Sequence, residues 1–542
     1  MTRKLSLLML LLFSLVLLSG LYLPLYSDEV MTKLSMARFF FENGHRVSFF
    51  PQCTATLGHT IAWVFYPAAG LLSAVYGYLE PLGMRISGVV LAFVWFALLA
   101  LWCRRQEPQQ WVGRFSFLVT FGALGVVPYL WVMSRPEHFM MLPVLALAII
   151  ALYRPGAGQY LKQVTAVTLL VVLTSTFFFT HPKSVFFAPF VLVAVWGATR
   201  DCAWFVRGGM LVYVLLLVLQ ALRDASLLGA CQDAPAVQAL LALNILRPGL
   251  LFESPLEFVL KVGSNVLYFF PRVVQHLMFR PEFQSGWLPP MAHVPSLLKV
   301  VNLAVAFAVC AFIAITHMLA GIGVLSALRR RRLSVPLLLA ALLAAGDLLN
   351  VMLYNLQNFY AAIQYIPISM VILALLFQSS EKDWIGTSLR KCESRVACGV
   401  SALSVVSLVA LMVLVTPNVV RNAESPSASV PGQPLSIPVF GAKAHLDSIR
   451  ELGRQCHIPE QSASSVVVDH MTYFAYKRDL NPIHVHYVSE DVYGADLKGR
   501  LLPFLKGLHS PGLITRCEWV PASMRSRQVR NSFDYCCVDF SD

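Results

Sequence analysis

Apolar segments long enough to cross a bilayer recur along this chain, at about 5–23, 86–103, 113–133, 138–153, 164–180, 185–199, 205–222, 298–327, 335–354, 360–378 and 396–415. A helix needs about 20 apolar residues to cross a hydrocarbon core of roughly 30 Å, and within lipid its backbone must bond to itself. The pattern predicts a polytopic α-helical membrane protein with about eleven transmembrane helices. Charged residues make up only 13% of the chain, against roughly 25% in soluble proteins. An ordinary soluble enzyme is excluded.

The net charge of +13 is distributed as topology signals. Lys and Arg cluster between apolar runs: Arg3 and Lys4; Arg104, Arg105 and Arg114; Arg154 and Lys162; Arg200 and Arg207; Arg329 to Arg332; Lys382, Arg390, Lys391 and Arg395. With the N-terminus in the cytoplasm, all of them fall on the cytoplasmic side, as the positive-inside trend requires. An odd number of spans then places the C-terminus outside. The expected location is the bacterial inner (cytoplasmic) membrane, with a periplasmic C-terminus. The basic start and apolar run at the N-terminus resemble a signal sequence, but no small-residue cleavage pattern follows, so an uncleaved first helix is expected. No basic stripe interleaved with aromatics exists to stack bases, which excludes nucleic acid as a partner.

A transmembrane module is expected over 1–415, with large outer loops at 23–85 and 223–297. A Pro/Ser-rich linker, 416–435, leads to a small α/β domain at 436–542. There KAHLDSIRELGRQC and DLKGRLLPFLKGL read as helices, and SSVVVDH, PIHVHYV, GLITRCEWV and DYCCVDF as strands. Cys53, Cys231, Cys456, Cys517, Cys536 and Cys537 fall on the outer side, an even set in a disulfide-permitting compartment. The four tail cysteines admit three full pairings. No CxxC or zinc-type spacing appears. His484 and His486 alternate on one strand face, as a metal pair or as polar surface.

Chemistry gathers at the outer ends of the spans. LPLYSDEVMTKLSMARFFFENGHR follows the first span and brings Asp28 and Glu29 to the lipid boundary. Acids there would cap a helix starting near Met31. Other span ends carry SRPEH (Arg135, Glu137, His138), THPKS (His181, Lys183) and YNLQNFY (Tyr354, Asn355, Gln357, Asn358, Tyr360). Outer basic residues run against the positive-inside trend. Snorkelling explains any one of them; as a set they suit a lipid-borne phosphate, which Arg binds through two bonds and Lys as a point charge. A sugar on such a phosphate already has a leaving group that needs only electrostatic help. The incoming hydroxyl needs a general base. The candidate catalytic residues are therefore Asp28 and Glu29, and the candidate phosphate ligands Arg135, His138, His181 and Lys183. Arg38, Arg46, His59, Glu137, Asn358 and Tyr360 are lesser substrate-binding candidates. No metal-ligating set is read and no cofactor follows from the residues; a divalent cation beside Glu29 stays open.

The order of first span, YSDEV, amphipathic MTKLSMARFFFENGH, many spans and an outer C-terminal domain resembles the GT-C superfamily of integral-membrane glycosyltransferases. It is similar to the DE-containing first outer loop of protein O-mannosyltransferases and of aminoarabinose transferases. The resemblance implies that Asp28 is the catalytic base and Glu29 its partner. Met31-Thr32 stands where the aminoarabinose enzymes often carry Arg-Tyr, and no later Lys-Pro pair follows. RPEH, HPKS and SPGLITRCEWVP look more like bacterial arabinofuranosyl-type or pilin-modifying transferases. The expectation is an inverting transfer of a sugar, arabinofuranose or another pentose or hexose, from a polyprenyl phosphate to an extracytoplasmic protein, glycan or lipid. The alternative is a lipid-sugar flippase or polytopic transporter, for which Asp347 inside a span is the best feature.

Overall fold

The computed structural model describes residues 3–26, 29–30, 79–152, 160–229, 235–283, 287–291, 293–379, 384–423, 437–460, 466–476, 483–485, 501–507 and 509–541. The chain divides into two compact units. The first holds 1–23, 85–221 and 245–421, and the second 24–84, 222–244 and 422–542.

Helices dominate the first unit: α1 (Arg3–Ser19), α2 (Pro81–Gln106), α3 (Trp111–Gly122), α4 (Val127–Trp131), α5 (Pro136–Leu152), α6 (Tyr160–Thr180), α7 (Ala188–Ala198), α8 (Trp204–Gly229), α9 (Pro255–Val274), α10 (Ser296–Arg329), α11 (Val335–Leu353), α12 (Phe359–Ser379) and α13 (Trp384–Ala410). Six described helical segments are long and apolar enough to cross a membrane, and four shorter apolar helices lie at 137–152, 162–178, 183–198 and 363–378. The chain is a multi-pass membrane protein. Proline opens α2, α5 and α9, where its missing N–H is not needed.

Two boundaries differ from the sequence reading. The expected single span 113–133 is broken into α3 and α4, because Gly125 adopts φ +54° and lets the Leu277 backbone in. A Cβ on Gly125 would lie 2.0 Å from the Leu277 carbonyl oxygen, which instead accepts the Val126 N–H at 3.0 Å. At the other end, α13 passes through a π-turn at 411–415 into a helix reaching Asn422, beyond the expected start of the linker.

Helix α9 is amphipathic. Asn265 and Phe269 are buried, whereas Leu256, Leu260 and Leu267 are exposed beside the Glu257–Lys261 ion pair, as suits a helix lying along an interface. The Asn265 amide donates to Met352 O and Asn355 Oδ1, both at 3.0 Å, and Arg272 donates to Asn355 O at 2.9 Å. These bonds buttress the turn between α11 and α12. Just after α9, His276 Nε2 donates to Gln357 O in the same turn at 2.9 Å. Burial, with the Arg280 charge adding to it, pushes the imidazole from 6.5 down to about 4, against the pull of that bond. A depressed histidine contributes stability above its unfolded value, and the contribution is lost as pH falls toward the folded one. Thermal melts should therefore show wild type losing more stability between pH 7 and pH 4 than His276→Asn, which keeps a donor and does not titrate.

In the second unit, Ala442–Gln455 (α14) and Leu501–Gly507 (α15) accompany a five-stranded sheet. Its strands are β1 (Val467–Val468), β2 (Ile483–His484), β3 (Gly512–Arg516), β4 (Val529–Arg530) and β5 (Tyr535–Asp539), in the order β2-β1-β3-β5-β4. β1 runs parallel to β2 and β3, and β5 antiparallel to β3 and β4. Val467, Val485, Leu505, Leu513 and Val538 form the core. Disulfides join Cys456 to Cys537 and Cys517 to Cys536. Adjacent strand residues point to opposite faces, so β5 is clamped from both sides. Cys53, Cys231 and His486 lie outside the described residues. At the front of this unit, Leu25 and Ile437 exchange backbone hydrogen bonds of 2.9 and 2.7 Å. That pairing fixes the chain three residues before position 28.

Candidate active site

Span-end clusters of the first unit come together around one carboxylate. Pro136 starts α5 immediately after Arg135, and places Glu137 in the first turn, where an acid suits the helix dipole. Glu137 is 1% exposed. Arg135 Nε lies 3.3 Å from Glu137 Oε2. His181 caps the short 3₁₀ helix Pro182–Phe187, and its Nδ1 accepts the Lys183 N–H at 3.1 Å. The ring proton must then sit on Nε2, which meets Glu137 Oε1 at 3.3 Å. One buried carboxylate thus orders both a guanidinium and an imidazole.

Two tyrosines from the α11–α12 turn complete the cluster. The Arg135 guanidinium carbon lies 3.9 Å from the centre of the Tyr360 ring, and Lys183 Nζ 4.5 Å from that of Tyr354. Such contacts are worth about 2 kcal/mol when desolvated. Asn358 Nδ2 donates to the Tyr360 hydroxyl.

Among the described residues, most charges near Lys183 sit in close pairs. Glu137 balances Arg135, with His181 in its neutral Nε2–H form. On α10, His317 Nδ1 lies 2.8 Å from the Ile313 carbonyl oxygen, an acceptor only, so Nδ1 is protonated. Its Nε2 meets Asp347 Oδ2 at 3.2 Å, a bond that needs one shared proton. Wherever that proton resides, the His317–Asp347 pair is neutral overall. Lys183 remains: it is 3% exposed, and among the described residues no carboxylate lies within ion-pair distance of its Nζ. A buried charge without a counter-ion costs several kcal/mol. The arrangement calls for an anion.

The candidates fare differently. Arg135, Glu137, His181, Lys183, Asn358 and Tyr360 assemble. His138, expected at the phosphate, turns its Nε2 to the Leu130 carbonyl instead. His181 points at Glu137 rather than outward, because Lys183 fixes its tautomer. Glu137, expected at a substrate, holds Arg135. Glu29, in the second unit, is 2% exposed and accepts the Tyr26 N–H at 2.8 Å, closing a tight turn. Asp28, Arg38, Arg46 and His59 lie outside the described residues. Asp347, weighed as a transport residue, also accepts from Gln364 Nε2 at 3.1 Å, and so joins α10, α11 and α12 by hydrogen bonds. Sequence reading passed over Asn350 and Gln364, although polar residues inside apolar helices signal function by default.

The class defined by these observations is a polytopic helical membrane protein with a buried Arg135–Glu137–His181–Lys183 cluster and a small disulfide-bonded α/β domain. No protein-family model matches the chain, and no curated protein does. Solved structures it is similar to include the oligosaccharyltransferase AglB from Archaeoglobus fulgidus in complex with an inhibitory peptide and a dolichol-phosphate, at 11% identity and a TM-score of 0.43 over 94% of this chain and 69% of that one. ArnT from Cupriavidus metallidurans bound to undecaprenyl phosphate matches at 10% identity and a TM-score of 0.44, over 100% of this chain and 98% of that one.

Proposed function

We propose that this protein is an inverting glycosyltransferase moving one sugar from a polyprenyl phosphate to an acceptor on the extracytoplasmic side. The observation that carries the reading is Lys183, a buried lysine with no carboxylate within ion-pair distance of its Nζ among the described residues, next to an Arg135 that is itself held by Glu137 and Tyr360. Two cations at span ends provide a seat for a phosphate whose lipid tail stays in the bilayer. Asp28 takes the proton of the acceptor hydroxyl, whose oxygen attacks the anomeric carbon. The carbon–oxygen bond to phosphate breaks, the electron pair leaves with the lipid phosphate, and Lys183 and Arg135 stabilise the charge that develops there. Attack opposite the leaving group inverts the anomeric centre. Glu29 orients Asp28 or, if a divalent cation takes part, joins it. The sugar proposed is a pentose such as arabinofuranose or a hexose, and the acceptor a protein such as pilin, a glycan or a lipid. The unit carrying the disulfides is the extracytoplasmic domain that shapes the acceptor side, in a protein of the bacterial inner membrane. The flippase alternative loses its best feature, since Asp347 is hydrogen-bonded to two neighbouring helices.

The test is Asp28→Asn. Expected is a loss of at least about a thousandfold in release of free lipid phosphate from a lipid-linked sugar, at the upper part of the range for general-base removal, with lipid-phosphate binding within twofold of wild type. Unchanged turnover removes Asp28 from the mechanism.

A further inference from the structure

The cluster seats a phosphate, but nothing in it so far reads the sugar. Next to it lie buried polar atoms without a hydrogen-bond partner among the described residues. Asn350 on α11 is 0% exposed, and among the described residues neither its carboxamide nitrogen nor its oxygen has a hydrogen-bond partner. The same holds for Ser184 Oγ, adjacent in sequence to Lys183, and for Gln364 Oε1 on α12.

These atoms belong to elements packed against one another. A Cβ on Gly346 would lie 2.5 Å from the Phe187 ring and 3.0 Å from the Phe186 carbonyl oxygen, so α11 rests directly on the 3₁₀ helix that carries Lys183 and Ser184. Gly346, Asn350 and Tyr354 recur at helical spacing on one face of α11 and its exit. Lys183, rooted on that 3₁₀ helix, reaches the Tyr354 ring at 4.5 Å. Its side chain therefore runs along the face to which Asn350 belongs. Gln364 has its nitrogen fixed on Asp347 at 3.1 Å, which orients its oxygen as an acceptor. Each unmatched buried polar atom costs about 1–3 kcal/mol, and apolar residues of similar shape would avoid the loss.

We infer that Asn350, with Ser184 and Gln364, forms a hydroxyl-reading subsite for the donor's sugar, continuous with Lys183; this rests on the reading of Lys183 as a phosphate ligand. A carboxamide offers a donor nitrogen and an acceptor oxygen, matching a hydroxyl that both donates and accepts. The Gln364 oxygen takes a second hydroxyl proton, and Ser184 serves in either sense. Among the described residues, the carboxylate on this face of α11, Asp347, is already engaged by His317 and Gln364 and is not offered to an amino group of the sugar. The subsite selects an uncharged, hydroxyl-bearing sugar over an amino sugar.

The experiment uses the full-length protein in lipid nanodiscs. It compares binding of undecaprenyl phosphate with that of its glucosyl, mannosyl, arabinofuranosyl and 4-amino-4-deoxyarabinosyl esters. A site built for hydroxyls discriminates strongly against ligands that lack them. Expected is that wild type binds at least one neutral glycosyl ester about tenfold or more tighter than bare undecaprenyl phosphate, and the amino sugar less well than that ester. Asn350→Leu should bring this ratio close to one while bare-lipid affinity stays within twofold. Asn350→Asp, of the same size but without the donor, should lower it too, and guards against misfolding of the leucine variant. A ratio unchanged in both variants overturns the inference, and so does an equal loss for bare and glycosylated lipids. A wild type that binds bare undecaprenyl phosphate but prefers no neutral ester sinks the subsite and spares the phosphate seat. A wild type that binds no undecaprenyl phosphate sinks both.

Discussion

Lys183→Met will weaken binding of undecaprenyl phosphate by about a hundredfold while leaving the protein as stable as wild type or more so. The two halves of this expectation have one cause. Methionine keeps an unbranched stem against Tyr354 and removes the ammonium, which lies buried with no carboxylate within ion-pair distance among the described residues. The empty protein is thereby relieved of a desolvated charge, and sites kept for function are often destabilising in this way. With the lipid phosphate present, the same change deletes a charge-assisted contact, worth about 2–5 kcal/mol when the partner is left desolvated. Titrating the lipid into protein in nanodiscs, alongside a thermal melt, measures both. Undiminished affinity would remove Lys183 from the phosphate seat and with it the main support for the proposed chemistry. Arg135 is a poorer probe, since its loss also strands Glu137.

The second large effect concerns the disulfide-bonded unit. Reducing or replacing Cys456–Cys537 should cost its fold about 4–5 kcal/mol, and Cys517–Cys536 about 3 kcal/mol, by loop-closure entropy. The sequence separations are 81 and 19 residues. Neighbouring members of β5 anchor both bridges, so their effects will not add independently. Cys456→Ser with Cys537→Ser should open the unit to proteolysis at temperatures where wild type resists, whereas the Cys517–Cys536 double replacement should do so only on further warming. Equal resistance of all three proteins would mean that the sheet core alone holds the unit.

Much of this was legible beforehand. Long apolar runs announce helices wherever they occur, and in the disulfide-bonded unit α14, α15, β1, β2, β3 and β5 fall on the stretches whose periodicity marks them, whereas β4 was not read. The break at Gly125 was not legible, because its cause is the distant Leu277 backbone. Nor was the pairing of four cysteines, for which spacing alone admits three solutions. At the site, residue types at span ends pointed to Arg135 and Lys183. The roles of His138, His181 and Glu137 depended on which neighbour each side chain faces, information carried by contacts such as His181–Glu137 between segments distant in sequence. Asn350 was hidden for another reason: within an apolar helix one amide looks like helix–helix glue until its neighbours prove unable to bond it.

The Leu25–Ile437 pairing joins two points far apart in the sequence by a pair of short backbone hydrogen bonds. In the proposed reaction this staple ties the chain just before residue 28 to the entrance of the disulfide-bonded unit, so that a load on that unit is felt beside the proposed base. A chain cut just ahead of Ile437 is expected to lose that tie, and with it sugar transfer.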